Sequence, residues 1–154
     1  MLHFKNPNVM YADEHAFSDE EVKSWLKKQL NNYFEYHFGL LKVILKETNE
    51  EIGQCGITIQ NINDTKVYEI GYLFKEQFWH NGYATESSTA CKDYAFNNLN
   101  INEIFSIIRD TNKKSQNVAK RIGMIFKGEI TKHYHGFDML HFIYSICKYH
   151  LFIL

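Results

Sequence analysis

The sequence predicts a mixed α/β fold, with helices and strands sharing a single domain that spans residues 1–154. Three observations predict it. Ser18-Asp19-Glu20-Glu21 has the S-x-x-E form of a capping box and is followed by apolar residues at helical intervals. Three β-rich segments lie between Leu40 and Phe74, separated by turn-like polar clusters. Finally, the stretch from Tyr68 to Phe96 reads as strand, short loop, helix, and strands alternate with helices after it. A chain of 154 residues is long enough to bury roughly two-thirds of the surface that its unfolded form exposes.

Taken in order, Val22, Trp25, Leu26 and Leu30 continue the first helix, expected from about Asp19 to Asn32. The aromatic run Tyr33 to Phe38 either extends that helix or walls a substrate groove, with packing as its ordinary role. The strands Leu40 to Lys46, Ile52 to Gln60 and Lys66 to Phe74 are separated by T-N-E-E and N-I-N-D-T, which suggests an antiparallel meander. A second helix starts at or just after Gly82, because Tyr83, Ala84, Cys91, Tyr94 and Ala95 form an apolar stripe. Next come a strand from about Ile104 to Arg109 and a short helix from about Lys113 to Ile122, with Gly123 suited to its C′ position. Two strands close the chain, about Ile125 to Lys132 and Phe137 to Lys148, joined by a turn at His135-Gly136.

Charge is nearly balanced, 17 basic against 18 acidic side chains, so no global field favours nucleic acid or an anionic membrane as partner. Cys55, Cys91 and Cys147 are far apart in sequence and odd in number, with no C-x-x-C pair. That suits small core side chains in a reducing compartment rather than disulfide or zinc roles. No charged leader with an apolar core opens the chain, and no run approaches the ~18 apolar residues of a membrane span, so a cytoplasmic protein is expected.

The chemistry concentrates around Gly82. Backbone N–H groups at a helix start lack intrahelical partners and sit at the positive end of the helix dipole, so a loop with glycine at that junction can cradle a phosphate. Neither the lysine-bearing P-loop nor the three-glycine dinucleotide fingerprint fits the spacing. The segment W-H-N-G-Y-A, Trp79 to Ala84, instead resembles the pyrophosphate loop of the GNAT acetyltransferase superfamily. Gly82 and Ala84 match that loop. Trp79 replaces the usual Gln or Arg, and this aromatic form resembles the branch containing the ribosomal-protein N-terminal acetyltransferases. A second segment, Asn112 to Met124 (N-K-K-S-Q-N-V-A-K-R-I-G-M), is similar to the superfamily's next motif.

The resemblance implies a central, mostly antiparallel twisted sheet with flanking helices and a splayed central strand pair. Members usually open with a strand, whereas only Met1 to Asn6 precede the helical region here, so the first strand is short, absent or supplied by another chain. Its absence would leave the strand near Leu40 as an open edge that invites pairing with a second molecule, as in a homodimer, or aggregation. The apolar Leu151 to Leu154 would pack on the sheet or across such a contact.

The resemblance also implies acetyl-CoA as co-substrate. The backbone of Tyr72, Leu73 and Phe74 would pair with the pantetheine amides, and the N–H groups of His80, Asn81, Gly82, Tyr83, Ala84 and Thr85 would hold the pyrophosphate. Asn112 either positions the cofactor or caps its helix, and Ser115 is placed near the thioester, with a simple cap residue as its alternative. Amine acetylation needs a neutral nucleophile, a stabilised oxyanion and a proton for the departing thiolate. Glu69 is the candidate base, since a carboxylate on a central strand needs a partner or a task; pairing with Lys66 or another cation, or exposure to solvent, is the alternative. The superfamily's usual acid, a tyrosine, aligns with Ala119, which leaves Ser115 and, more distantly, Tyr134 as candidates. His133 and His135 would share a strand face as metal ligands require, but no third ligand follows from spacing and no metal is expected. The expected reaction is acetyl transfer to a primary amine, either a protein N-terminal α-amine or a small amine. The alternatives are a catalytically silent acyl-CoA-binding sensor and a degenerate copy of the fold.

Overall fold

A computed structural model describes residues 6–10, 17–134 and 136–148. The helix α1 spans Asp19–Tyr36. The capping box is formed: the Ser18 hydroxyl accepts from the Glu21 N–H at 3.2 Å, and the Glu21 carboxylate accepts from the Ser18 N–H at 2.8 Å. The helix runs one turn past the expected Asn32 and ends at His37, whose φ of 60° is left-handed. That turn is held by tertiary structure, because the Tyr33 hydroxyl donates to the Leu40 carbonyl.

The meander follows as β1 (Leu40–Leu45), β2 (Glu50–Ile62) and β3 (Thr65–Phe74), paired antiparallel. Asn63 and Asp64, at φ 46° and 64°, form the two-residue hairpin between β2 and β3. Positive φ at both positions twists the chain in the sense that suits paired strands. Beyond a short 3₁₀ turn at Glu76–Phe78 come α2 (Tyr83–Asn97), β4 (Glu103–Arg109), α3 (Lys113–Arg121), β5 (Ile125–Tyr134) and β6 (Phe137–Cys147). Gly123, at φ 91°, ends α3: its N–H donates to the Lys120 carbonyl and that of Met124 to the Ala119 carbonyl. Those two bonds make a Schellman motif, and they confirm the C′ position expected for this glycine.

Among the described residues six strands form one twisted sheet in the order β1-β2-β3-β4-β6-β5. Every neighbouring pair is antiparallel except β3 and β4, which are parallel and share only one ladder pair, Glu69 with Phe105. The two strands splay apart beyond that pair. On the face toward α2 and α3, Cys55, Ile57, Ile70, Phe96, Ile104 and Tyr144 belong to one buried cluster. The alternate residues of β6, including His141, Ile143 and Ser145, are buried on the opposite face.

Among the described residues no strand precedes α1; residues 6–10 form a turn, with the Val9 and Met10 N–H groups donating to the Asn6 carbonyl. β1 is therefore the sheet's edge among the described residues. Met1 to Lys5, where a first strand was sought, lie outside the described residues, as do His135 of the last turn and the apolar segment Leu151 to Leu154. No helix among the described residues is long and apolar enough to cross a membrane.

Candidate active site

The splay of β3 from β4 opens a cavity of about 560 Å³. One wall is the C-terminal end of β3, Tyr72, Leu73 and Phe74; the others are the start of α2 and the start of α3. His80, Gly82, Tyr83, Ala84, Thr85, Asn112 and Ser115 all line it, so the structure brings ten of the eleven positions assigned to the cofactor around one space, all but Asn81. Asn81 sits in the adjoining loop, where its side-chain amide donates to the Trp79 carbonyl at 3.0 Å.

Gly82 is the N-cap of α2, at φ 83°, and supplies no side-chain cap. The α2 hydrogen-bond ladder starts only with the Glu86 N–H donating to the Gly82 carbonyl at 3.0 Å. The N–H groups of Tyr83, Ala84 and Thr85 thus precede the first intrahelical bond, at the positive end of the dipole and on the cavity wall. An anionic group is the ligand such a wall suits. The loop before it is held by Trp79, whose indole N–H donates to the Phe74 carbonyl at 2.9 Å, and the Lys114 ammonium lies 4.3 Å from the Trp79 ring centroid. A cation on an indole face is attracted by the ring's quadrupole. Trp79 therefore joins the three walls.

Asn112 caps α3: its side-chain oxygen accepts from the Ser115 N–H at 3.1 Å. Ser115 is half-buried, and its carbonyl accepts from the Tyr72 hydroxyl at 3.4 Å. Buried Gln116 donates to the carbonyls of Arg109 and Asp110, at 3.2 and 2.8 Å, and ties α3 to the end of β4. Ala119, where the superfamily's tyrosine would align, is buried in the core.

Glu69 lies three residues before Tyr72 on β3, roughly 10 Å along the strand from the cavity wall. It is half-buried at the single β3–β4 ladder pair. One carboxylate oxygen accepts from the Ile107 N–H and the other from the Thr58 hydroxyl, both at 3.2 Å. Burial pushes its pKa above the ordinary carboxylate value, against the pull of the Lys132 charge and these hydrogen bonds. Its hydrogen-bond partners are thus Thr58 and a backbone N–H, and the cation that acts on its charge is Lys132 rather than Lys66.

Tyr134, at the end of β5, is partly exposed and does not line the cavity; its ring meets that of His141 edge-on at 6.4 Å. His133 pairs with Asp138 at 2.8 Å, and among the described residues no group of three His, Cys, Asp or Glu side chains is placed to hold a metal ion. Sequence reasoning missed Val9, which is buried and lines the cavity. The side-chain amides of Asn6 and Asn8 pin that turn by donating to the Glu76 carboxylate at 3.2 and 3.1 Å. No local pattern announces such a contact, because it depends on residues about 70 positions apart.

Residues 1–125 match the family described as the acetyltransferase (GNAT) domain. The Bacillus subtilis (strain 168) protein YkkB is 37% identical over 131 residues, covering 85% of this chain and 76% of YkkB. YnaD of the same organism, named an N-acetyltransferase, is 31% identical over 126 residues, which is 81% of this chain and 71% of YnaD. An acetyltransferase from Agrobacterium tumefaciens str. C58 superposes with a TM-score of 0.76 at 28% identity, covering 93% of this chain and 80% of that one. The chain belongs to the GNAT acetyltransferase family.

Proposed function

We propose that this protein transfers the acetyl group of acetyl-CoA directly to a primary amine, either a protein N-terminal α-amine or a small amine. The observation that carries this reading is the cavity at the β3–β4 splay, where an open strand edge and a helix N-terminus face one space. The backbone of Tyr72 to Phe74 would hold the pantetheine amides as a strand holds its neighbour, and the N–H groups from His80 to Thr85 would hold the pyrophosphate.

Glu69 would take the proton from the incoming ammonium, directly or, given its distance from the cavity wall, through water. A pKa raised by burial makes it a better base than an ordinary surface carboxylate. Ser115, on the cavity wall, would hydrogen-bond the departing sulfur, whereas Tyr134, the more distant candidate on the last hairpin, does not line the cavity. An α-amine, with a reference pKa near ~7.7–8.0 against ~10.4 for lysine, asks less of such a base, and this favours N-terminal amines as in the ribosomal-protein branch.

The buried Ala119 favours one second reading, an acyl-CoA sensor that binds but does not turn over. Calorimetric titration with acetyl-CoA, followed by thiol release over a panel of peptides and small amines, separates the readings. Saturable binding with amine-dependent thiol release is expected. Binding without release would leave the sensor, and no binding by folded protein would end both.

A further inference from the structure

Cys55 on β2 and Cys91 on α2 are 36 positions apart in sequence, yet their sulfurs lie 3.7 Å apart. Neither belongs to the cavity wall, and no step of the proposed acetyl transfer uses them. Cys55 is buried, and its sulfur is also 3.9 Å from the hydroxyl of fully buried Ser88. Cys91 is only half-buried, so the pair has a path to solvent on one side, whereas Cys147 lies at the end of β6.

We propose that Cys55 and Cys91 are a modification site, a thiol pair that hydroperoxides convert to an intramolecular disulfide between β2 and α2. The proximity carries the inference: closing the bond asks for a shift of under 2 Å between two side chains, because a disulfide is ~2.05 Å long. The polar surroundings divide the roles. The hydrogen bond from the Cys91 thiol, helped by the Ser87 and Ser88 hydroxyls, pulls the Cys55 pKa down despite burial, and the same hydrogen bond and burial push that of Cys91 up.

Peroxide enters past half-buried Cys91 and meets the Cys55 thiolate sulfur 3.7 Å from that of Cys91. The Cys55 sulfur takes one peroxide oxygen as the O–O bond breaks; the other oxygen leaves as hydroxide, combines with the proton lost by Cys55 and departs as water. The Cys91 sulfur then attacks the Cys55 sulfenic acid, the S–S bond forms, and the sulfenic oxygen leaves with the Cys91 proton as a second water. Two thiols lose two electrons and two protons, and hydrogen peroxide is reduced to two waters.

The test is a thiol count under denaturing conditions before and after hydrogen peroxide, with a non-reducing peptide map by mass spectrometry. The titre should fall from three thiols to one, with a single Cys55–Cys91 cross-linked peptide that dithiothreitol reverses. Cys147→Ser should still lose two thiols, while Cys91→Ser, a partly exposed site that keeps the fold testable, should form no cross-link. A titre that stays at three, a cross-link through Cys147 or between chains, or oxidation that stops at sulfinic acid on either cysteine would overturn the proposal.

Discussion

Glu69→Gln separates chemistry from architecture, because it removes a charge while leaving both hydrogen-bond positions filled. The glutamine oxygen can still accept from the Ile107 N–H, and its amide can face the Thr58 hydroxyl, at the 3.2 Å separations now seen. If Glu69 is the base, kcat should fall by roughly 10²–10⁴, a barrier increase of about 3–5 kcal/mol. The KM for acetyl-CoA should stay within about twofold, since the residue lies roughly 10 Å along β3 from the cavity wall. Stability should move the other way. The folded-state pKa is raised by burial, so the native protein holds a proton that the unfolded chain has already released; stability falls as pH rises through that window. Glutamine removes this penalty, and thermal unfolding at neutral pH should be no lower than in the wild type. The wild-type kcat/KM should also fall on acidification with a midpoint above the ordinary carboxylate range, and the variant should lack that limb. Thiol-release kinetics from pH 5 to 9, calorimetry and thermal unfolding measure all of these. Unchanged turnover would remove Glu69 from the mechanism, and loss of acetyl-CoA binding in parallel with turnover would show that the substitution had disturbed the splay instead.

Three further outcomes follow from individual sites. Gly82→Ala forces a side chain into a backbone at φ 83° while its Cβ meets nothing within 4 Å, so the cost is conformational, ~1–2 kcal/mol; if the loop relaxes to escape it, the KM for acetyl-CoA should rise roughly 5–30-fold at near-normal kcat. Gly53→Ala would set a Cβ 2.4 Å from the Leu73 carbonyl oxygen and 2.8 Å from the Phe74 Cα, so backbone must move; a loss of about 1–3 kcal/mol should appear as a lower urea midpoint, with weaker acetyl-CoA binding because β3 is displaced at its cavity end. His141 is buried and its pKa is lowered by desolvation, so the unfolded chain takes up a proton that the native protein resists; stability should drop as pH falls below ~6.5, and His141→Gln should flatten that part of a melting-temperature profile.

The legible parts of this fold were those with local causes. The capping box at Ser18, the turn cluster that holds the left-handed pair Asn63-Asp64 and the Schellman glycine Gly123 each act within a few residues and place their elements, although β2 runs Glu50–Ile62 rather than Ile52 to Gln60 and β3 starts at Thr65 rather than Lys66, because the strands pair right up to the two-residue turn. α1 overran its expected end because Tyr33 reaches Leu40, a contact that apolar periodicity does not report. The insertion of β6 between β4 and β5 depends on pairing between distant segments, and no local sequence signal places it. At the cavity, Gly82 and Asn112 carry motif signals, whereas the place of Val9 and the Trp79 indole hydrogen bond exist only after collapse, as does the meeting of Cys55 with Cys91 elsewhere in the fold.

Glu69 ties these levels together. A parallel ladder continuing past Phe105 would offer the Ile107 N–H a carbonyl of β3, but the strands diverge and the Glu69 carboxylate accepts that N–H instead. The same side chain that is proposed to take a proton thus seals the last closed point of the seam from which the cavity opens. An alanine there would strand the Ile107 donor in a half-buried site, a cost of about 1–3 kcal/mol, whereas glutamine would not. Loss of turnover common to both variants, with loss of stability confined to Glu69→Ala, is the pattern that assigns the residue both a structural and a chemical role. If instead the two variants lose stability and activity together, the carboxylate is chiefly a strand-pairing group, and the base must be sought among residues nearer the cavity.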